Sequence, residues 1–232
     1  MQLVFLRYAR RCACLVAILS LFVGLGGCNV LRGRSAGQMR SQSLRTDAVV
    51  LPADYRVAVF TNDKIAGTSI LLSDVPIEQV VSGEVRNAQI MHIELLWLPK
   101  AGETPMDQAA TNTSIRHIVI SNGQVGIYGG AGFARPSENP AEHDSVSFTL
   151  RDASLALQES TAGFVDLLSP SKLTGTFSAR RDDKQARQLY FAVSQLVTNA
   201  LGRTRYVMRE AHTKPPVVPG ARRSIATESV SP

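Results

Sequence analysis

His92 and Glu94 stand two residues apart in a stretch, Gln89 to Leu98, whose odd positions Met91, Ile93, Leu95 and Trp97 are all apolar. Alternation of period two marks a strand with one face on a core, and residues i and i+2 share a face. An imidazole and a carboxylate about 7 Å apart on one face can share a divalent cation through splayed rotamers. His117, in the next apolar run, is the candidate third ligand. No further ligand follows at a diagnostic spacing, so the same residues also describe a polar patch on the outer face of a sheet, half covered by Ile90, Leu96 and Leu98.

The densest glycine cluster runs from Gly126 to Phe133 (GIYGGAGF). A phosphate cradle needs either glycines spaced G-x-G-x-x-G before a helix or a P-loop lysine, and neither is present. Gly129, Gly130, Gly132 and Phe133 are therefore read as candidates for the rim of a ligand site in a curved sheet, or as bulges and close backbone approaches. His143 and Asp144 follow Glu142 in a loop containing Pro136 and Pro140. With no Gly-x-Ser-x-Gly to supply a nucleophile, that loop reads as a solvated connection.

The elements that must position these residues are mostly strands. Tyr55–Thr61 and Thr68–Leu72 form an expected hairpin, and Ile115–Ile120 and Gln124–Tyr128 flank Asn122-Gly123, two residues that tolerate positive φ in a tight turn. Val146, Phe148 and Leu150 alternate with polar residues and are expected to turn back on Leu155 and Leu157 across Arg151-Asp152-Ala153. Lys172–Ala179 is a further strand, and Pro99–Thr113 is the longest irregular stretch. Then the period changes. Asp182 or Asp183 caps a helix that runs to Leu201 and stops at Gly202, with Ala186, Leu189, Tyr190, Val193, Leu196, Val197, Ala200 and Leu201 along one face and Leu196 near the middle of that stripe. Phe191 falls on the opposite face, to be covered by Tyr206-Val207-Met208 or by a partner. The expected fold is mainly β: an antiparallel β-sandwich or open barrel of about seven or eight strands, with one C-terminal amphipathic helix packed on it.

The first 28 residues carry a different signal. Arg7, Arg10 and Arg11 precede an apolar run from Cys12 to Leu25, which is shorter than the ~20 residues that span a bilayer. Leu25-Gly26-Gly27-Cys28 follows. The layout is that of a secretory signal, and its ending resembles the lipobox of bacterial lipoproteins. The resemblance covers these residues alone. It implies cleavage before Cys28, lipid attachment on the Cys28 sulfur and acylation of the new amine. At roughly 0.8 kcal/mol per buried methylene, several acyl chains anchor a protein without a transmembrane helix. Cys12 and Cys14 would leave with the signal, so the mature chain has no second cysteine for an internal disulfide. Asn29, where an Asp favours inner-membrane retention in enteric bacteria, leans the expectation toward the outer membrane.

Charge divides by segment. The whole chain has a formal net charge of +6, yet Asp47–His212 holds 15 Lys and Arg against 18 Asp and Glu. The basic residues belong to the ends, which suits anionic lipid headgroups, and the body lacks the broad basic surface that nucleic acid requires. The chain therefore divides into a signal peptide (1–27), a flexible basic tether (28–50), one β-rich domain with a C-terminal helix (51–211) and a tail (212–232) expected to lack order. These observations point to an envelope lipoprotein on the membrane through Cys28, with a structural or interaction domain, possible protein partners in the envelope, no nucleic acid and no cofactor. A hydrophobe carrier with a cavity lined by Ile118, Ile127 and Phe133 is the second reading, and a hydrolase built on His92, Glu94 and His117 the third.

Overall fold

The computed structural model of the chain describes residues 36–63, 67–99 and 110–204. Among these, the strands are β1 (Gly37–Ser43), β2 (Val50–Tyr55), β3 (Val57–Asp63), β4 (Gly67–Ser73), β5 (Ala88–Leu95), β6 (Thr113–Ser121), β7 (Gln124–Pro136), β8 (Ser145–Ser160) and β9 (Ser171–Arg181). The helices are α1 (Ile77–Ser82) and α2 (Asp183–Leu201). Strands β3 to β8 pair in chain order, apart from the α1 excursion, and β8 pairs with β9. One edge of β9 takes β8; the other takes antiparallel β1 along Ser171–Phe177 and then parallel β3 at Arg180 and Arg181. The β3–β9 contact closes β3 to β9 into a ring, and β1 and β2 extend the wall beside β9. Only Arg56 separates β2 from β3, so one run of chain passes from outside β1 to direct contact with β9.

Two hydrophobic layers follow from the alternation. Inside the ring lie Phe60, Ile70, Leu72, Met91, Ile93, Leu95, Tyr128, Phe148 and Phe177. Their neighbours of opposite parity, including Val59, Leu71, Ile90, Ile118, Ile120 and Ile127, face outward and are covered by α1 and α2. This two-sided burial explains why Ile118, Val119 and Ile120 of β6 are apolar in succession rather than alternating. Asp182 caps α2 by accepting from the Gln185 backbone N–H at 2.9 Å, and Gly202 ends it in the left-handed conformation at φ 68°. Asn122 and Gly123 form the expected turn with φ of 51° and 77°.

Three expectations are corrected. Residues 37–43 lie within the expected tether yet form β1, hydrogen-bonded on both edges. Its inward residues are Met39, Ser41 and Ser43, so a single apolar side chain marks the buried face and the hydropathy pattern is nearly silent. Residues 145–160 are one long strand rather than a hairpin: between Leu150 and Ala153 the register shifts, and Asp152, at φ 47°, absorbs the extra length as a bulge. Helix α1 is a second helix beside the single expected one, and its six residues are too few to show a helical period in the sequence.

The stripe on α2 is centred earlier than its sequence suggests. Ala186, Leu189, Val193 and Val197 are fully buried, whereas Leu196 and Leu201 are only partly covered. An isolated helix of this length is marginal in water, so its order rests on that seam. Leu189→Ala is expected to lower stability by about 2–5 kcal/mol and Leu196→Ala by clearly less, read from urea melts followed by circular dichroism.

Candidate functional site

The wall itself separates the predicted ligands. In the β5–β6 register Met91 faces His117 and His92 faces Arg116. His92 and Glu94 are on the outer face, as the alternation predicts, while His117 projects into the ring beside Tyr128, 6.3 Å between ring centroids. The three side chains therefore do not converge, and among the described residues no group of three or more His, Cys, Asp or Glu could hold a metal ion.

Both imidazoles are built into the packing. His92 is 2% exposed, with Nε2 2.8 Å from the Ser69 hydroxyl and its ring edge-on to Tyr190 of α2. Desolvation, with the Arg116 charge adding to it, pushes its pKa down to about 3. His117 Nδ1 lies 3.4 Å from the Ser41 hydroxyl, and burial pushes its pKa down to about 4. Each ring is thus neutral at physiological pH and works as a polar spacer in an apolar layer. His143 instead lies in the β7–β8 connection, 3.0 Å from Glu138 in an exposed pair, so the expected solvated loop is what forms.

The glycine cluster is filled by β8. A Cβ on Gly130 would stand 1.8 Å from the Ser154 carbonyl oxygen, one on Gly132 2.3 Å from Ala153 Cβ, and one on Gly129 2.0 Å from the Gln158 amide. Gly130 and Gly132 let β8 press against β7 near the register shift between Ala131 and Phe133, whereas a Cβ on Gly129 would meet only the movable end of the Gln158 side chain. Phe133 packs edge-on against Trp97 with ring centroids 6.0 Å apart. The proposed carrier lining also divides: Ile118 and Ile127 lie under α2, away from the Phe133–Trp97 pair. An open groove of about 480 Å³ lies elsewhere, on the β2–β1–β9 wall, lined by Gln38, Arg40, Asp54 and Thr174 among others.

Sequence reasoning missed Asp166 in the β8–β9 connection, a carboxylate with four donors. One carboxylate oxygen accepts from the Tyr128 hydroxyl at 2.9 Å and from the Leu168 and Ser169 backbone N–H groups at 3.1 and 2.9 Å. The other accepts from Arg45 at 2.8 Å. Arg45 also donates to the Ser169 and Asp166 carbonyls. Burial opposes the charge, but these donors prevail and hold the Asp166 carboxyl below its usual range. The connection is thereby fastened across one mouth of the ring, with Leu168 buried and Phe164 against Tyr128. Outside this plug, Val165 (71%), Leu167 (54%) and Leu44 (54%) remain exposed, with Val49 and Val50 beside them at the β1–β2 turn.

No family model, curated protein or solved structure matches the chain.

The histidines set a pH dependence. Their folded pKa values lie below the unfolded value of about 6.5, so as pH falls the unfolded chain takes up protons first. Stability is full above pH 6.5 and is lost as pH drops toward 4, by up to about 1.4 kcal/mol per unit for each ring. Between pH 7 and 5 the urea midpoint should fall. In His117→Gln the unfolding free energy from the same melts should start lower but fall by about 2 kcal/mol less over that interval.

Proposed function

We propose that the chain is an envelope lipoprotein, anchored through lipid on Cys28, whose barrel is a non-catalytic structural or interaction module. The observation that carries this reading is Leu25-Gly26-Gly27-Cys28 at the end of an apolar run behind Arg7, Arg10 and Arg11; these residues lie outside the described ones. No helix among the described residues is long and apolar enough to cross a membrane, so attachment would fall to the lipid.

Two features of the body support the second half. Groups suited to proton transfer or metal binding lie on opposite faces of the wall rather than in one cleft. The ring interior is occupied by its own large side chains, with Phe60, Ile70, Leu72, Met91 and Ile93 fully buried. Partners would then meet the outer surfaces.

The extra strand shortens the spacer. Only seven residues, eight Cα steps, separate Cys28 from Ala36, which bonds to both Tyr55 and Ser178 through its backbone. Fully extended, they reach about 27 Å, so the Ala36 end of β1 would be held near the headgroups. Asn29 after the cysteine leans the proposed address toward the outer membrane. Cys28→Ser should move the protein from the membrane to the soluble fraction, or leave an uncleaved precursor, in fractionated cells. Unchanged membrane attachment and processing of that variant would contradict the anchor.

A further inference from the structure

Strand β2 pairs with β1 alone among the described strands, so its other edge faces a seam in the wall. The strand that would continue there is β4, which ends at Ser73 before the chain turns into α1. The Arg56 N–H bonds the Ser73 carbonyl at 2.9 Å, where the β3–β4 ladder begins. Gln89 of β5 reaches across the seam instead. Its Nε2 donates to the Pro52 carbonyl of β2 at 2.8 Å, and its backbone N–H donates to Asp74 Oδ1 at 2.9 Å. The Asp74 N–H returns a bond to the Gln89 carbonyl at 3.2 Å.

Two polar atoms at this seam are buried and have no hydrogen-bond partner among the described residues. One is Gln89 Oε1. The amide cannot be turned over to help it, because that would set its oxygen against the Pro52 carbonyl. The other is the hydroxyl of Tyr55, three residues along β2 from Pro52, whose side chain is 0% exposed. Asp74 relates the two. It is bonded to Gln89, and its charge adds to burial in raising the pKa of the Tyr55 hydroxyl.

A buried hydroxyl and a buried amide oxygen are each costly to leave unmade. The hydroxyl needs an acceptor and the amide oxygen needs a donor. A water molecule is both at once, and its second proton suits the carboxylate. Three hydrogen bonds are the usual number for a buried water. A metal cation fits less well, because the Arg56 charge already acts on Asp74 and the hydroxyl would turn its proton toward the ion. An apolar ligand would leave both atoms unpaired.

We propose that the seam between β2 and β5 holds one internal water, which accepts from the Tyr55 hydroxyl and donates to Gln89 Oε1 and to the Asp74 carboxylate. It completes the wall where β4 has left it. Relaxation dispersion of the water oxygen, measured by NMR on the full chain, counts internal waters without interference from exchanging protons. Tyr55→Phe should show one internal water fewer than the unaltered chain. It should also melt about 2–4 °C lower, with the amides of β5 and β6 still protected from exchange. An equal count of waters in the two proteins would overturn the proposal. So would a Tyr55→Phe variant that melts at the same temperature or higher, the result expected of a hydroxyl buried with no partner. Stabilisation by sodium or potassium chloride that choline chloride does not match, and that Tyr55→Phe abolishes, would overturn it in favour of a cation.

Discussion

The whole fold depends on β9 being paired along both edges. A sheet of this many strands left open would expose two rows of backbone donors and acceptors and would leave one face of every strand wet. By taking β8 on one side and β1 and then β3 on the other, β9 turns that sheet into a ring. Closure fixes which residues are interior. The inward parity of every strand must then supply side chains that fill one enclosed volume, and the outward parity of β3 to β7 must supply a floor for α2. The bulge in β8 and the glycines of β7 are the local price of closing, since they allow the two strands to bend and approach.

A ring still has mouths, and the one beside the β1–β2 turn is sealed by Asp166. Its carboxylate gathers donors from three places distant in sequence: Arg45, Tyr128 and the backbone of Leu168 and Ser169. Hydrogen bonds to an ionised group are each worth about 1.5–3 kcal/mol. Arg45 is exposed, so its pair with Asp166 contributes less than the backbone and tyrosine bonds. The result is a rigid connection that turns Leu168 and Phe164 inward and leaves Val165 and Leu167 outside. Sealing the interior and presenting an apolar surface are thus two consequences of one carboxylate.

Much of this was legible in the sequence. Helix α2 declared itself by its apolar period, Asp182 and Gly202; β5 by strict alternation; the β6–β7 turn by Asn122-Gly123. What was hidden had physical reasons. β1 turns serines inward, and a buried serine looks like a loop serine. His117 lies in Ile115–Ile120, where residues of both parities are apolar because both faces are covered, so period two cannot say which way the imidazole points. Asp166 was invisible because its partners Arg45 and Tyr128 are 121 and 38 residues away. The glycines were seen, but spacing alone does not tell a ligand rim from a close approach of two strands.

The interior of the body is filled by its own side chains, and in the proposed reading contacts with the envelope run through lipid on Cys28 and the outer surface. A native mass spectrum of the protein extracted from its own membranes tests both halves at once. The account predicts a polypeptide beginning at Cys28 that carries its covalent acyl chains and no non-covalently held hydrophobe. An unmodified cysteine would contradict the anchor, and a stoichiometric non-covalent hydrophobe would contradict the filled interior.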